Sequence, residues 1–347
     1  MQSTIVVSPR ERFLSVIPSL ESLFTTIADN VPVVVVEGGT PRKIRQRLEE
    51  IQSDRHFELV SLDHMVTPNE ARNIGARMAQ TEFVAFCDND IEYQPHWLEQ
   101  LEQNAVKYGA DVVAPMIFIG PNDPAVIHHA GGVLTFRHDE QGLVIEERHR
   151  LMNERYIDLS DRVDELAPVA NEVCEFHCLM MRKAFYDRMG GLDERLITRE
   201  QMDLALRARA LDAKVTFEKR SCVTYRAKVP FRGRDIFYHL FRWSDELACR
   251  SMDAFEESWN VRLNRDRIRY NWIQRHRQNA VLSMFPKLSK VIGRKRTVKL
   301  LTAPLEKHTA RITRKTRPYP QSQAPAAVGE GGFVEKLAAE AMNTEPS

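Results

Sequence analysis

Residues 83–92 read FVAFCDNDIE, an apolar run from Phe83 to Cys87 that stops at Asp88-Asn89-Asp90, with Glu92 close behind. The run is too apolar to alternate between a buried and a wet face, so it reads as a strand covered on both sides. Two carboxylates two residues apart repel each other, and burying either without compensation is expensive. The tip of this strand therefore calls for a cation. A hard divalent ion such as Mg²⁺ or Mn²⁺ would suit Asp88 and Asp90, which can fan onto one ligand together with phosphate oxygens. The competing reading is an exposed turn, since Asp and Asn favour turns on their own account.

Upstream, the chain alternates between two periods. Thr4–Val7 is a short strand, and Ser19–Phe24 opens a helix with a capping-box-like pattern. VPVVVV at 31–36 is a β-branched strand ending in Glu37-Gly38-Gly39, after which Pro41 starts a helix through Leu48 and Ile51. Phe57–Val60 is a third strand, Ala71–Ala79 a helix and Phe83–Cys87 the fourth strand. His96–Tyr108 and Asp111–Ala114 repeat the helix and strand. Such alternation predicts an α/β fold with a mostly parallel central sheet and helices on both faces. Ligands of these sheets bind beyond the carboxyl ends of the strands, which sets Ser8-Pro9-Arg10, Glu37-Gly38-Gly39 and Asp88-Asn89-Asp90 on one rim.

Composition narrows the field. The 347 residues allow one large domain or two modest ones, and 43% hydrophobic content is enough for a sizeable core. A net charge of +1 points to neither a nucleic-acid binder nor an acidic solvating chain. Five cysteines, an odd number within apolar stretches, suit free thiols in a reducing compartment. Cys174 and Cys178 lack a second pair at zinc-ligand spacing. The N-terminus becomes charged before a signal-peptide core can form, and no apolar run approaches the roughly 18 residues that span a bilayer. These features predict a cytoplasmic protein. Neither G-x-G-x-x-G after the first strand nor a P-loop is present.

Asn69 to Gly75, NEARNIG, opens the helix before the acidic strand, where Arg72 could reach a phosphate or base and Gly75 suggests close helix–sheet packing. Glu37, Ala71-Arg72-Asn73-Ile74-Gly75 and Asp88-Asn89-Asp90, in this order, resemble the acidic residue, A-R-N-x-G and D-x-D motifs of family 2 glycosyltransferases, which have the GT-A fold. The resemblance covers roughly residues 1–260. His128-His129-Ala130-Gly131-Gly132 looks like the family's H-A-G-G segment, and Met189 to Glu194 like its G-G-F-D-E turn. Phe241 to Glu246 resembles the helix that follows the catalytic domain in many bacterial members.

The resemblance implies inverting sugar transfer from a nucleotide-diphosphate-sugar to a glycan, lipid-linked or protein acceptor. Ser8, Glu37, Arg72, Asp88 and Arg226 would bind the donor, and Asp88 and Asp90 would hold Mg²⁺ or Mn²⁺. His128, His129 and His177 could face the acceptor. It also implies a GT-A-like domain over 1–230, a helical basic extension over 231–317 and a largely disordered tail over 318–347.

Two departures stand out. The family's E-D-x-D-L reads Glu200-Gln201-Met202-Asp203-Leu204 here, so Gln201 occupies the usual base position. Glu200 or Asp203 could substitute, three apart on one helix face, with Asp203 also spaced to pair with Arg207. The family's metal-binding His after the last strand is replaced by Cys222-Val223-Thr224-Tyr225-Arg226, where Arg226 could meet the diphosphate. A non-catalytic scaffold that binds nucleotide-sugar or glycan is the first rival reading, and a sugar nucleotidyltransferase the second.

Beyond residue 115 the pattern loosens into a long polar connection over Pro121–Asp164. Glu175–Met181 and Val215–Phe217 read as strands, Glu200–Leu211 as a helix, and the chain from Arg234 as an amphipathic helix. Residues 287–317 carry eleven Lys/Arg against one acid, Glu306, with Val291, Val298, Leu300 and Leu305 interleaved. This pattern suits peripheral contact with an anionic membrane at its inner face, or a plain solvated helix. Pro318–Gly332 reads as a disordered linker.

Overall fold

The computed structural model describes residues 2–8, 12–120, 125–140, 142–158, 171–226, 231, 235–316 and 333–344. Pro9 and Arg10 of the expected rim, and the expected linker at 318–332, lie outside them.

The first half builds as its periods predict. Strands β1 (Ser3–Ser8), β2 (Val33–Gly38), β3 (Glu58–Leu62) and β4 (Phe83–Asp88) alternate with helices α1 (Val16–Thr26), α2 (Arg42–Asp54) and α3 (Pro68–Met78). Every residue of β1, β2 and β4 is buried, the result of helices on both faces. These strands pair in parallel in the order β3-β2-β1-β4.

Past β4 the topology changes. A turn at Asn89-Asp90 leads to the short β5 (Ile91–Tyr93), then α4 (Trp97–Tyr108) and β6 (Val112–Ile119). Strand β10 (Cys178–Arg182) inserts antiparallel between β4 and β6. The long β11 (Val215–Tyr225) runs parallel to β6 and antiparallel to β5. The sheet is therefore mixed: β1–β4, β6 and β11 run one way, and β5 and β10 run against them.

The connection over 121–164 is more ordered than its polarity suggested. It carries β7 (Val126–His129), on the edge of β6, and a hairpin of β8 (Gly132–Asp139) and β9 (Gly142–His149). Leu134, Leu143 and Ile145 of the hairpin join a core with α6 (Glu200–Ala210) and later helices. Helix α5 (Lys183–Arg188) follows β10.

The amphipathic stretch after 234 is two helices, α7 (Asp235–Arg242) and α8 (Asp245–Trp259), broken at Ser244, whose hydroxyl caps α8 by accepting from Leu247 N at 3.3 Å. A π-helical stretch, Arg267–Ile273, continues into α9 (Gln274–Met284), then α10 (Pro286–Ile292) and α11 (Arg294–Thr316). The last helix, α12 (Phe333–Thr344), buries Val334, Leu337 and Ala338 in the same core as the hairpin. All five cysteines are free thiols.

Gly75 brings α3 onto β1. A Cβ there would sit 2.3 Å from Val6 Cγ1 and 2.9 Å from Val6 Cγ2. Gly75→Ala is expected to destabilise the protein by about 1–3 kcal/mol, the usual range for overpacking. Urea denaturation would measure it, and a change near zero would contradict so tight a contact.

Candidate active site

Asp88 ends β4 and is almost wholly buried. The pairing of Cys178 with Cys87 sets the residue before β10 opposite Asp88, and Asp88 N donates to His177 O at 3.0 Å. The His177 Nδ1 lies 3.1 Å from Asp88 Oδ2, while Arg72 Nη2 donates to Oδ1 at 3.1 Å. Asp90, also buried, has its Oδ2 3.6 Å from Arg12 Nη1, and its backbone carbonyl accepts from Arg226 N at 3.0 Å. The acidic tip thus already faces two guanidinium groups.

Asp88, Asp90 and His177 each place one ligand atom within 4.8 Å of the others. Two carboxylates and an imidazole form a donor set suited to a divalent ion of the Mn²⁺ type, the imidazole favouring a softer ion than Mg²⁺. The residues fit such an ion, with Arg12 as its competitor for Asp90. Histidine thus reaches the acidic tip from the β10 side, whereas the end of β11 carries Arg226. The Arg226 side chain is 4.0 Å from Glu92.

Arg72 has no exposed surface. Its guanidinium also donates to Asn69 Oδ1 at 2.9 Å, lies 3.7 Å from Glu200 Oε1 and covers the Phe176 ring at 4.3 Å. It positions Asp88 from behind the rim. The next residue, Asn73, faces elsewhere. Its amide donates to Leu192 O at 2.8 Å and Glu194 Oε1 at 2.9 Å, and its carbonyl accepts from Leu192 N and Tyr186 Oη. Asn69 Nδ2 adds a bond to Asp193 O at 2.9 Å. The helix thus pins the turn at 190–194, where Gly190 and Gly191 take the positive φ that glycine tolerates.

Ser8 pairs in register with Asp88 and shares a recess with Glu37, Thr40 and Asn89 above Val7 and Val35. Glu37 is buried, with Oε1 2.7 Å from Arg45 Nε. His128 sits with its ring 5.0 Å from that of His177, which lies tilted against the Tyr225 ring at 4.1 Å. His129 points inward and is wholly buried.

The two carboxylates of α6 differ sharply. Glu200, in the first turn where the helix dipole favours an anion, lies 3.7 Å from both Arg72 Nη1 and Arg242 Nη2. Asp203 accepts from Arg207 Nε and Trp259 Nε1, each at 2.8 Å. Burial raises the Asp203 carboxyl above its usual range, and Arg207 offsets this only in part. Between them Gln201 turns to the hairpin, donating to both oxygens of Glu147 at 3.1 and 3.0 Å. Arg199 Nη1 donates to the same carboxylate at 2.7 Å. Burial would raise Glu147, but Arg199, His149 and Gln201 outweigh it and hold the carboxyl low. No sequence signal marked Glu147 or Arg12.

His149 lies 3.5 Å from Glu175 and 3.4 Å from the His129 ring nitrogen. Burial, reinforced by His149, His177 and Arg150, holds His129 well below the ordinary histidine range. The unfolded chain therefore binds a proton at His129 that the folded state refuses, and stability from this residue falls as pH drops below about 6.5. Thermal denaturation of the wild type and His129→Asn at neutral and mildly acidic pH should show the wild type losing more. Equal losses would contradict this.

A mixed α/β sheet with an acidic turn at the carboxyl end of β4, its imidazole neighbour and a small polar recess beside it has the GT-A type of glycosyltransferase architecture. Residues 4–189 match the family described as Glycosyl transferase family 2, and the chain belongs to that family. It is 24% identical over 209 residues to the pre-mycofactocin glycosyltransferase of Mycobacterium tuberculosis, a match spanning 59% of this chain and 40% of that protein's length. The crystal structure of GalNAc-T7 with UDP, GalNAc and Mn²⁺ superposes with a TM-score of 0.51 at 14% identity, over 84% of this chain and 56% of that one. The mannosyltransferase PcManGT of Pyrobaculum calidifontis, with GDP-Man and Mn²⁺, gives a TM-score of 0.49 at 13% identity, over 99% and 88%.

Proposed function

We propose that the protein is an inverting glycosyltransferase that moves a sugar from a nucleotide-diphosphate-sugar to a hydroxyl of a glycan, lipid-linked or protein acceptor. The observation that carries this reading is the convergence of Asp88, Asp90 and His177 at the sheet's carboxyl rim. In this reading they hold Mn²⁺ or Mg²⁺, which would offset charge on the leaving diphosphate. The structural relative GalNAc-T7 carries UDP and Mn²⁺. Ser8 and Glu37, at the ends of β1 and β2, contact the nucleoside, Arg72 fixes Asp88, and Arg226 flanks the diphosphate. His128 faces the acceptor.

Glu200 is the proposed base, oriented by Arg72 and Arg242. Asp203 is a structural partner of Arg207 and Trp259 rather than a second base. The carboxylate that Gln201 holds, Glu147, is the alternative proton acceptor. Comparing Glu200→Gln with Glu147→Gln in donor hydrolysis separates them, because the variant of the true base loses the larger share of rate.

The test of the reaction class is the anomeric configuration of the first-formed sugar, read by proton NMR before mutarotation. Inversion supports the proposal; retention overturns it. A second reading, a non-catalytic nucleotide-sugar scaffold, is favoured by Arg12 and Arg72 already facing both aspartates. It predicts donor binding with no turnover.

A further inference from the structure

We propose that the outer face of α11, together with α10, docks the protein on the surface of an anionic lipid bilayer. The orientation of α11 is set by packing. Leu301 and Leu305 turn inward onto a cluster formed by Ile236 and Leu240 of α7 and Ala280 and Val281 of α9. Thr297 and Thr309, on the same inner stripe, are buried and return their hydroxyls to Gly293 O and Leu305 O. The helix has thus used one face for folding and presents the other to its surroundings.

That outer face is basic. Lys295, Arg296, Lys299, Lys307 and Arg311 all lie on it and all are exposed, as are Lys287 and Lys290 on α10. None of these seven makes an ion pair among the described residues, whereas Arg199, Arg207, Arg265 and Arg269 elsewhere each meet a carboxylate. Glu306, the acid of this stretch, sits on the flank and is taken by Arg277 from α9. Folding therefore leaves the positive field of the arm uncompensated.

Two apolar side chains stand out from the same surface. Leu300 is 58% exposed in the midst of the basic face, and Val291, near the end of α10, is 81% exposed. Cations around protruding aliphatic groups match a bilayer interface, where the charges meet acidic headgroups and the aliphatic groups enter the acyl boundary. A nucleic acid would be served by aromatic rings for base stacking, and residues 294–311 contain no Phe, Tyr or Trp. The inference is independent of the chemistry assigned to the sheet's rim.

Flotation of the full-length protein with phosphatidylcholine vesicles, with and without phosphatidylglycerol, tests it. The protein should float with the anionic vesicles, stay behind with the neutral ones, and be released as salt rises. Replacing Lys295, Arg296 and Lys299 together by Ala should weaken partitioning about 100-fold, and Leu300→Ser about 10-fold. These side chains lie outside every packed cluster, so thermal denaturation should show the variants folded. Equal binding to both vesicle types would overturn the proposal, as would unchanged binding of the triple variant. Tighter binding of a labelled single-stranded oligonucleotide than of anionic vesicles at the same salt would overturn it in favour of a nucleic-acid surface.

Discussion

Asp90→Asn is expected to lower donor turnover by about 10³-fold, the scale seen when one electrostatic contact to a leaving group is lost. The substitution keeps the shape of a buried side chain and removes its charge. Asp90 sits on the backbone turn between β4 and β5, its carbonyl held by Arg226 N, so the turn itself should survive. Its carboxylate is 3.6 Å from Arg12 and within ligand distance of Asp88 and His177. If the carboxylate's work is structural, stability will fall and turnover will follow the folded fraction. If its work is at the donor diphosphate, the melting temperature will move little while the rate collapses. A loss under about 10-fold in a folded variant would contradict the assigned role.

Arg72→Met is expected to destabilise the protein by about 3–5 kcal/mol, the penalty for removing one partner of a buried ion pair. Methionine fills much of the guanidinium's volume over Phe176, so the loss is mostly electrostatic. It would leave the buried Asp88 carboxylate without its 3.1 Å donor and Asn69 Oδ1 without its own. Urea denaturation should return part of the loss in the double variant Arg72→Met with Asp88→Asn, because the second change removes the stranded charge. A loss below about 1 kcal/mol in the single variant would contradict the positioning role. So would full additivity of the two changes.

The first four strands were legible because each is a β-branched or aromatic run bounded by turn residues and followed by a helix. Their shared rim followed from parallel order alone. What sequence order hides is insertion. Strand β10 lies almost a hundred residues after β4 yet pairs beside it, and only that pairing brings His177 to Asp88. Spacing cannot report such a contact. The hairpin β8–β9 was hidden differently: Glu146-Glu147-Arg148-His149 reads as a solvated loop, although alternate residues of the same strand pack inward. Glu147, and with it the partner of Gln201, went unseen for that reason. Arg72 is legible as a residue of this rim, but its burial and its bond to Asp88 are not. The close contact at Gly75 is legible, because a glycine inside a helix costs stability and points to close backbone approach.

Donor binding at the acidic rim is tested by a calorimetric titration of UDP-, GDP- and dTDP-sugars, with Mn²⁺, into the wild type and Asp90→Asn. Saturable binding of at least one donor by the wild type is expected, weakened by chelating the metal and strongly reduced in the variant. Binding of no donor, or binding that Asp90→Asn leaves unchanged, would contradict it.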